Sequence, residues 1–282
     1  MRPAVITDEL SQNLDHALAV MGEYGVTHAE LRNVYNKYIV DADETLLKQV
    51  EADLAKHGAT VCCIDTPLFK CNLESSTGSA GPTHGANERT LADQQTLLLH
   101  AIDLAKRFGT EYLRIFSFWK QGPLTPEIED RIADELVRPC ELAARAGITL
   151  LLENEHACYL GTAAETARVI ERVGSPAFKM IYDPGNSFFA GEQPFPAGFA
   201  AARNHYAHLH VKDACVNADG MPKWCVVGDG EIDYPGLFAA LKADGYTGIV
   251  ALETHYKGAD GGDSETPSRQ SLANMIRLME QA

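Results

Sequence analysis

The chain has 282 residues, with 24 Lys+Arg against 39 Asp+Glu, a formal net charge of −15 at pH 7 and 45% hydrophobic residues. That length suits one large barrel or two ordinary domains and excludes a small disulfide-stapled scaffold. The acidic balance has the wrong sign for a phosphate backbone, no Lys/Arg cluster marks a basic groove, and no run of about 18 apolar residues marks a membrane span, so neither a nucleic-acid nor a membrane partner is expected.

Short β-rich apolar runs alternate with helix-periodic stretches from end to end, the pattern of βα units around a parallel sheet. AVIT (4–7) precedes LDHALAVMGEYG, and HAELR (28–32) precedes DETLLKQVEADLAKHG. TVCCID (60–65) leads through a long connection to TLLLHAIDLAKRFG, and YLRIFSF (112–118) precedes EIEDRIADELVRPCELAARAG. TLLLEN (149–154) precedes ETARVIERVG, KMIYD (179–183) follows, YAHLHVK (206–212) precedes YPGLFAALKADG, and GIVALET (248–254) closes the series. Most helices end in Gly just before the next strand, as a left-handed C-cap requires. Eight units predict an α/β fold, a (β/α)8 TIM barrel formed as one domain over residues 1–282; loss of one strand would leave an open doubly wound sheet. No Gly-x-Gly-x-x-Gly follows the first strand, so a dinucleotide-binding half has no support. The long connections 66–90, 213–233 and 255–267 fall on the C-terminal side of their strands, where barrel enzymes carry sites and lids. MRPAVITDEL holds no signal-peptide stretch, so the cytoplasm is the expected compartment. The seven cysteines, with Cys62 and Cys63 adjacent and no Cys-x-x-Cys, read as small apolar fillers.

Strands five to eight each end in an oxygen or nitrogen metal ligand: Glu153 in LLLEN, Asp183 in MIYDPGN, His210 in HLHVKD and Glu253 in VALETHY. In a parallel barrel those ends converge on one mouth. One such carboxylate reads as a loop cap or ion pair, but four ligands in succession read as a site. A carboxylate inside IVALE or TLLLE is costly to bury unless it is paired or metal-bound. Three carboxylates and one imidazole make a hard donor set suited to a single divalent ion, Mn2+ or Mg2+ first, with Zn2+ or Co2+ accommodated.

The sequence resembles the sugar-phosphate isomerase/epimerase group of the xylose isomerase-like TIM barrel superfamily. The resemblance spans essentially the whole chain. It is most specific in the Glu-Asn of strand five, Asp-Pro-Gly-Asn after strand six, His-x-Lys-Asp after strand seven, Gly-Asp-Gly-Glu-Ile-Asp and the closing Glu-Thr-His. It implies metal coordination by Glu153, Asp183, His210 and Glu253, with Glu153 and Glu253 also flanking a substrate carbon and moving protons. The implied activity is isomerisation or epimerisation of a small sugar or polyol by proton transfer next to a carbonyl through an enediolate, with the ion as Lewis acid. Expulsion of a β-hydroxyl from the same intermediate gives a dehydratase of the inosose or dehydroshikimate type, and a sugar-binding barrel without turnover is the reading from another class. Where ketose epimerases carry His three residues after the strand-six Asp, this chain has Asn186. Homo-oligomers occur in the group, which leaves that state open here.

Other candidates surround this set. Glu30 and Arg32 share one face of strand two and either pair with each other or hold substrate hydroxyls. His156 is a substrate contact by resemblance or an exposed loop histidine, and His208 reads as a core histidine. Lys212 either pairs with Asp213 at the rim or meets an anionic substrate group. Lys120 and Trp119 end strand four, and Phe69 and Lys70 are placed to close over the mouth. No phosphate-cradling glycine loop is evident, which favours an unphosphorylated or carboxylated polyol.

Overall fold

Each apolar run forms a strand in the computed structural model, which describes residues 1–74, 83, 85–258, 261–262 and 264–282. The strands are β1 (Arg2–Ile6), β2 (His28–Leu31), β3 (Thr60–Leu68), β4 (Tyr112–Ile115), β5 (Thr149–Glu153), β6 (Phe178–Tyr182), β7 (Tyr206–Val211) and β8 (Ile249–Leu252). All neighbours pair in parallel, and β8 closes back onto β1. Closure makes this a (β/α)8 barrel and excludes the open doubly wound sheet.

The helices between them are α1 (Leu14–Glu23), α2 (Glu44–His57), α3 (Gln94–Phe108), α4 (Pro126–Ala146), α5 (Ala163–Val173), α6 (Pro184–Phe189), α7 (Phe199–Ala202), α8 (Tyr234–Ala243) and α9 (Glu265–Gln281). Their starts carry the expected caps: Asn13 and Asp43 accept backbone N–H groups, and Thr162 with Glu165 forms a reciprocal capping box. Gly58 (φ 61°) and Gly147 (φ 76°) supply the left-handed residue that ends α2 and α4 and turns the chain into β3 and β5.

Strand alternation divides the apolar residues into two populations. Val5, Ile64, Leu113, Leu150, Leu152, Met180, Leu209, Val250 and Leu252 point outward and join the helices in the main core. The inward positions between them hold small clusters only, Ala4 with Ile249 and Ala251, and Cys63 with Leu151 and Ile181. Above these the interior is charged. All seven cysteines are free, and Cys63, Cys71, Cys140 and Cys158 are buried as fillers.

Three departures from the sequence reading concern edges. β4 stops at Ile115 rather than Phe118, because Phe116 and Phe118 donate their N–H groups to Leu68 and Phe69 as the chain leaves the barrel wall. A two-residue ribbon pairs Asn33–Val34 with Lys37–Tyr38. In the connection after β7, Asp213–Val216 pairs antiparallel with Pro222–Cys225, so this stretch is a hairpin. Of the other long connections, residues 75–82, 84, 259, 260 and 263 lie outside the described residues, and with them part of the expected lids. Among the described residues no helix is long and apolar enough to cross a membrane.

Candidate metal centre

The inward register that turns Leu150, Leu152, Met180, Leu209 and Leu252 outward turns Glu153, Asp183, His210 and Glu253 inward. One ligand atom from each of these four buried side chains lies within 4.8 Å of all the others. Asp183 is held by two neighbours. Its Oδ1 accepts the Asn186 N–H at 2.8 Å and so caps α6, and its own N–H donates to Asn154 Oδ1 at 2.8 Å. Its Oδ2 faces the cluster, 2.9 Å from Lys212 Nζ as an ion pair but without hydrogen-bond geometry.

Glu253 is the most heavily partnered member. Its Oε1 accepts from Arg32 at 2.7 Å and from His255 Nε2 at 3.1 Å, and its Oε2 accepts from Lys212 Nζ at 2.6 Å. Burial works to raise its pKa, but the Lys212 and His255 charges hold it well below the usual carboxylate range. Glu153 accepts from Asn186 Nδ2 at 3.2 Å and from His210 Nδ1 at 3.3 Å through Oε1, while Oε2 has no hydrogen-bond partner. Asp183 is pushed up to about 6, by burial first, with Lys212 opposing and Glu153 and Glu253 adding to it. Burial lowers the Lys212 pKa, yet Asp183 and Glu253 raise it well above its ordinary value. Buried carboxylates packed this closely, two of them with an oxygen that no donor satisfies, form a site that attracts cations.

The other sequence candidates separate into groups. Arg32 borders the cleft above the cluster and binds Asp8, Glu9 and Glu253. Glu30 shares its inward face but is fully buried beneath and accepts from His208 and His210, so the two residues do not pair with each other and Glu30 does not line the cleft. His208 is the buried core histidine expected from its spacing. Lys212 is buried, not at the rim. Its partners are Glu253 and Asp183, whereas Asp213 accepts the N–H groups of Ala214, Gly228 and Gly230. His156 and Asn186 meet above the cluster, Nδ1 to Oδ1 at 2.9 Å, and His156 borders the cleft. Phe69 is buried, and Lys70 pairs with Glu155 at 3.1 Å across the mouth. Lys120 is exposed and borders no part of that cleft.

Several residues at the site went unread in the sequence. Arg114 on β4 lies inside the barrel, 3.6 Å from Asp65 and 3.4 Å from Glu153. Both carry the signal that marked Glu153, a charge at an inward position of an apolar strand. Asp8 and Glu9 follow β1 directly, and Glu9 accepts the backbone N–H of His255 at 2.9 Å. Trp224, on the hairpin, stacks on Phe189 at 3.8 Å and stands 5.5 Å from Lys212 Nζ. Together with Arg32, His156 and His255 it encloses a cleft of about 770 Å³ over the cluster.

Comparison with known proteins agrees with this architecture. The chain is 27% identical over 150 residues to the inosose dehydratase of Geobacillus thermodenitrificans (strain NG80-2), covering 48% of this chain and 50% of that protein. It is 24% identical over 187 residues to the L-ribulose-5-phosphate 3-epimerase UlaE of Salmonella paratyphi C (strain RKS4594), covering 65% and 64%. The chain thus spans about half to two thirds of the length of these curated relatives. Among solved structures, the IOLI protein with a bound zinc atom superposes with a TM-score of 0.75 at 15% identity, over 99% of this chain and 98% of that one, which speaks for the fold. The family described as Xylose isomerase-like TIM barrel matches residues 18–278, and the chain belongs to that family.

Proposed function

We propose that the protein is a divalent-metal-dependent isomerase or epimerase of a small uncharged sugar or polyol. The observation that carries this reading is the convergence of Glu153, Asp183, His210 and Glu253 within 4.8 Å, with orphaned oxygens on Glu153 and Asp183. These donors fit a hard divalent ion, which when bound supplies Lewis acidity toward a carbonyl oxygen. A zinc atom in a structure of the same fold and the sugar epimerase among the relatives support the reading.

The chain's own residues supply the proton chemistry. Glu153 and Glu253 enter the mouth from β5 and β8, which presents one carboxylate to each face of a carbon lying between them. Arg32, His255 and Lys212 keep Glu253 ionised, whereas one oxygen of Glu153 has no hydrogen-bond donor and only the Arg114 charge nearby at 3.4 Å. Asn186 orients Glu153 and His156 together, and Trp224, stacked on Phe189, walls one side of the cleft. Arg32, Lys70, Arg114 and Lys212 are each engaged by carboxylates, which is why an uncharged substrate is favoured over a phosphate ester.

The direct test combines metal analysis with proton exchange. One divalent ion per chain is expected, together with deuterium uptake from D2O into a ketohexose. Glu253→Gln should slow that uptake by roughly 10²–10⁴-fold, the usual contribution of a positioned acid or base. A chain that binds no divalent ion, or a Glu253→Gln variant exchanging at the parent rate, would overturn the assignment. A dehydratase is the second reading, favoured by the inosose dehydratase relative. Loss of one water from an inosose, with no labelled substrate returned, would select it.

A further inference from the structure

We propose that Glu30 is the positioning residue of the metal centre, a buried carboxylate that fixes the tautomer and ring orientation of His210 and, through that ring, the affinity of the site for its ion. The proposal rests on the metal reading above. Its geometry is independent of that reading and comes from both nitrogens of one imidazole. Nδ1 of His210 faces the cluster, 3.3 Å from Glu153 Oε1 and 3.4 Å from Glu253 Oε2. Nε2 faces the other way, 3.0 Å from Glu30 Oε2. An ionised carboxylate only accepts, so Glu30 holds a proton on Nε2, and Nδ1, which donates to Glu153 when no ion is bound, is the nitrogen that gives up its proton to a metal.

Glu30 is itself held so that it cannot turn away. Its other oxygen, Oε1, is taken by His208 Nε2, from the same face of β7 two residues earlier. All three side chains are fully buried. The local backbone sets the aim: the β2–β3 register shifts between Ala29 and Glu30, pairing Ala29 with Val61 but Glu30 with Cys63. Such an irregularity redirects a side chain. A histidine ligand whose second nitrogen donates to a carboxylate is a more basic and better oriented ligand, and loss of that partner typically costs 10–100-fold in metal affinity.

The test is direct binding of Mn2+ to the chelator-stripped full chain by calorimetry, with Glu30→Gln and Glu30→Asp variants. Glu30→Gln offers an amide where two N–H groups need acceptors, so its Kd for Mn2+ should rise 10–100-fold. Glu30→Asp keeps the charge one methylene short and should fall between the two. Nitrogen NMR of the histidines should find His210 protonated at Nε2 in the parent protein and lose that signature in Glu30→Gln. A purely structural Glu30 would lower the melting temperature of the metal-free variants and leave the affinity alone. A folded Glu30→Gln that binds Mn2+ within twofold of the parent overturns the proposal. If that variant fails to fold, unchanged affinity in Glu30→Asp overturns it instead. A parent chain that binds no divalent ion removes the metal reading and this one together, whereas a binding parent with indifferent variants removes only this one.

Discussion

Glu155 and His156 lie just past β5, adjacent in sequence, and share a single proton-dependent contact. His156 Nδ1 is 3.0 Å from Glu155 Oε1 and 2.9 Å from Asn186 Oδ1, so that nitrogen donates to both acceptors. Burial lowers the imidazole pKa, but the hydrogen bond and charge of Glu155 outweigh it and raise the pKa above 6.5. A histidine with a raised folded-state pKa contributes stability that is fully present below the unfolded value and is lost as pH rises through the folded one. NMR titration of the metal-free protein should therefore place the His156 midpoint above 6.5, and Glu155→Gln should bring it down. The stability gap between the two proteins should narrow as pH rises from 6 to 8. A midpoint untouched by Glu155→Gln would show that Asn186 alone sets the imidazole.

At the scale of elements, the centre is assembled by contacts between α6, the end of β7 and the hairpin that follows it. Gly185 is the point of closest approach: a Cβ there would stand 2.5 Å from Lys212 Cγ, 2.9 Å from the Lys212 carbonyl oxygen and 3.0 Å from Trp224 Cζ3. The Lys212 carbonyl cannot retreat freely, since it accepts from the Tyr234 hydroxyl at 2.7 Å. Gly185→Ala should thus cost about 1–3 kcal/mol, the usual range for overpacking, and weaken ion binding because Lys212 and Asp183 move together. Thermal unfolding and metal titration of that variant check it, and a melting temperature equal to the parent's would show that the hairpin yields. The eight strands were legible because short, nearly continuous apolar runs punctuated by C-cap glycines need no tertiary information, and the four proposed ligands because charge inside such runs is expensive. Arg114 and Asp65 carried the same signal and went unread, since a lone charge in a strand also fits a solvent-facing position. Lys212 was misplaced at the rim because lysine is ordinarily exposed, and only the carboxylates brought in by other strands make its burial tolerable. The hairpin under Trp224 has four-residue arms, too short for periodicity to declare itself.

The whole molecule divides its charge between two regions that answer to different physics. Most of the acidic excess sits on solvated helix faces, in exposed pairs such as Arg107 with Glu44 and Glu51, which salt screens and which contribute little each. Inside the barrel the acidic side chains Glu30, Asp65, Glu153, Asp183 and Glu253 outnumber Arg32, Arg114 and Lys212, the buried cations that meet them. That interior is enclosed by an apolar shell built on the outward faces of the same strands, so the barrel is expected to form without an ion. An ion that binds only the folded chain adds RT ln(1 + [ion]/Kd), about 2.7 kcal/mol at 100-fold excess over Kd. For a chain of this size each kcal/mol moves the melting temperature by about 2–4 °C, so chelation should lower it by roughly 5–10 °C. The far-UV spectrum below the transition should stay unchanged, because the shell is intact. Glu253→Gln should abolish most of the ion-dependent increment, and added monovalent salt should not restore it, since the site is shielded from solvent. A melting temperature indifferent to chelation, in protein whose metal content has measurably fallen, would mean that Arg32, Lys212 and Arg114 already balance the interior and that no divalent ion is needed there.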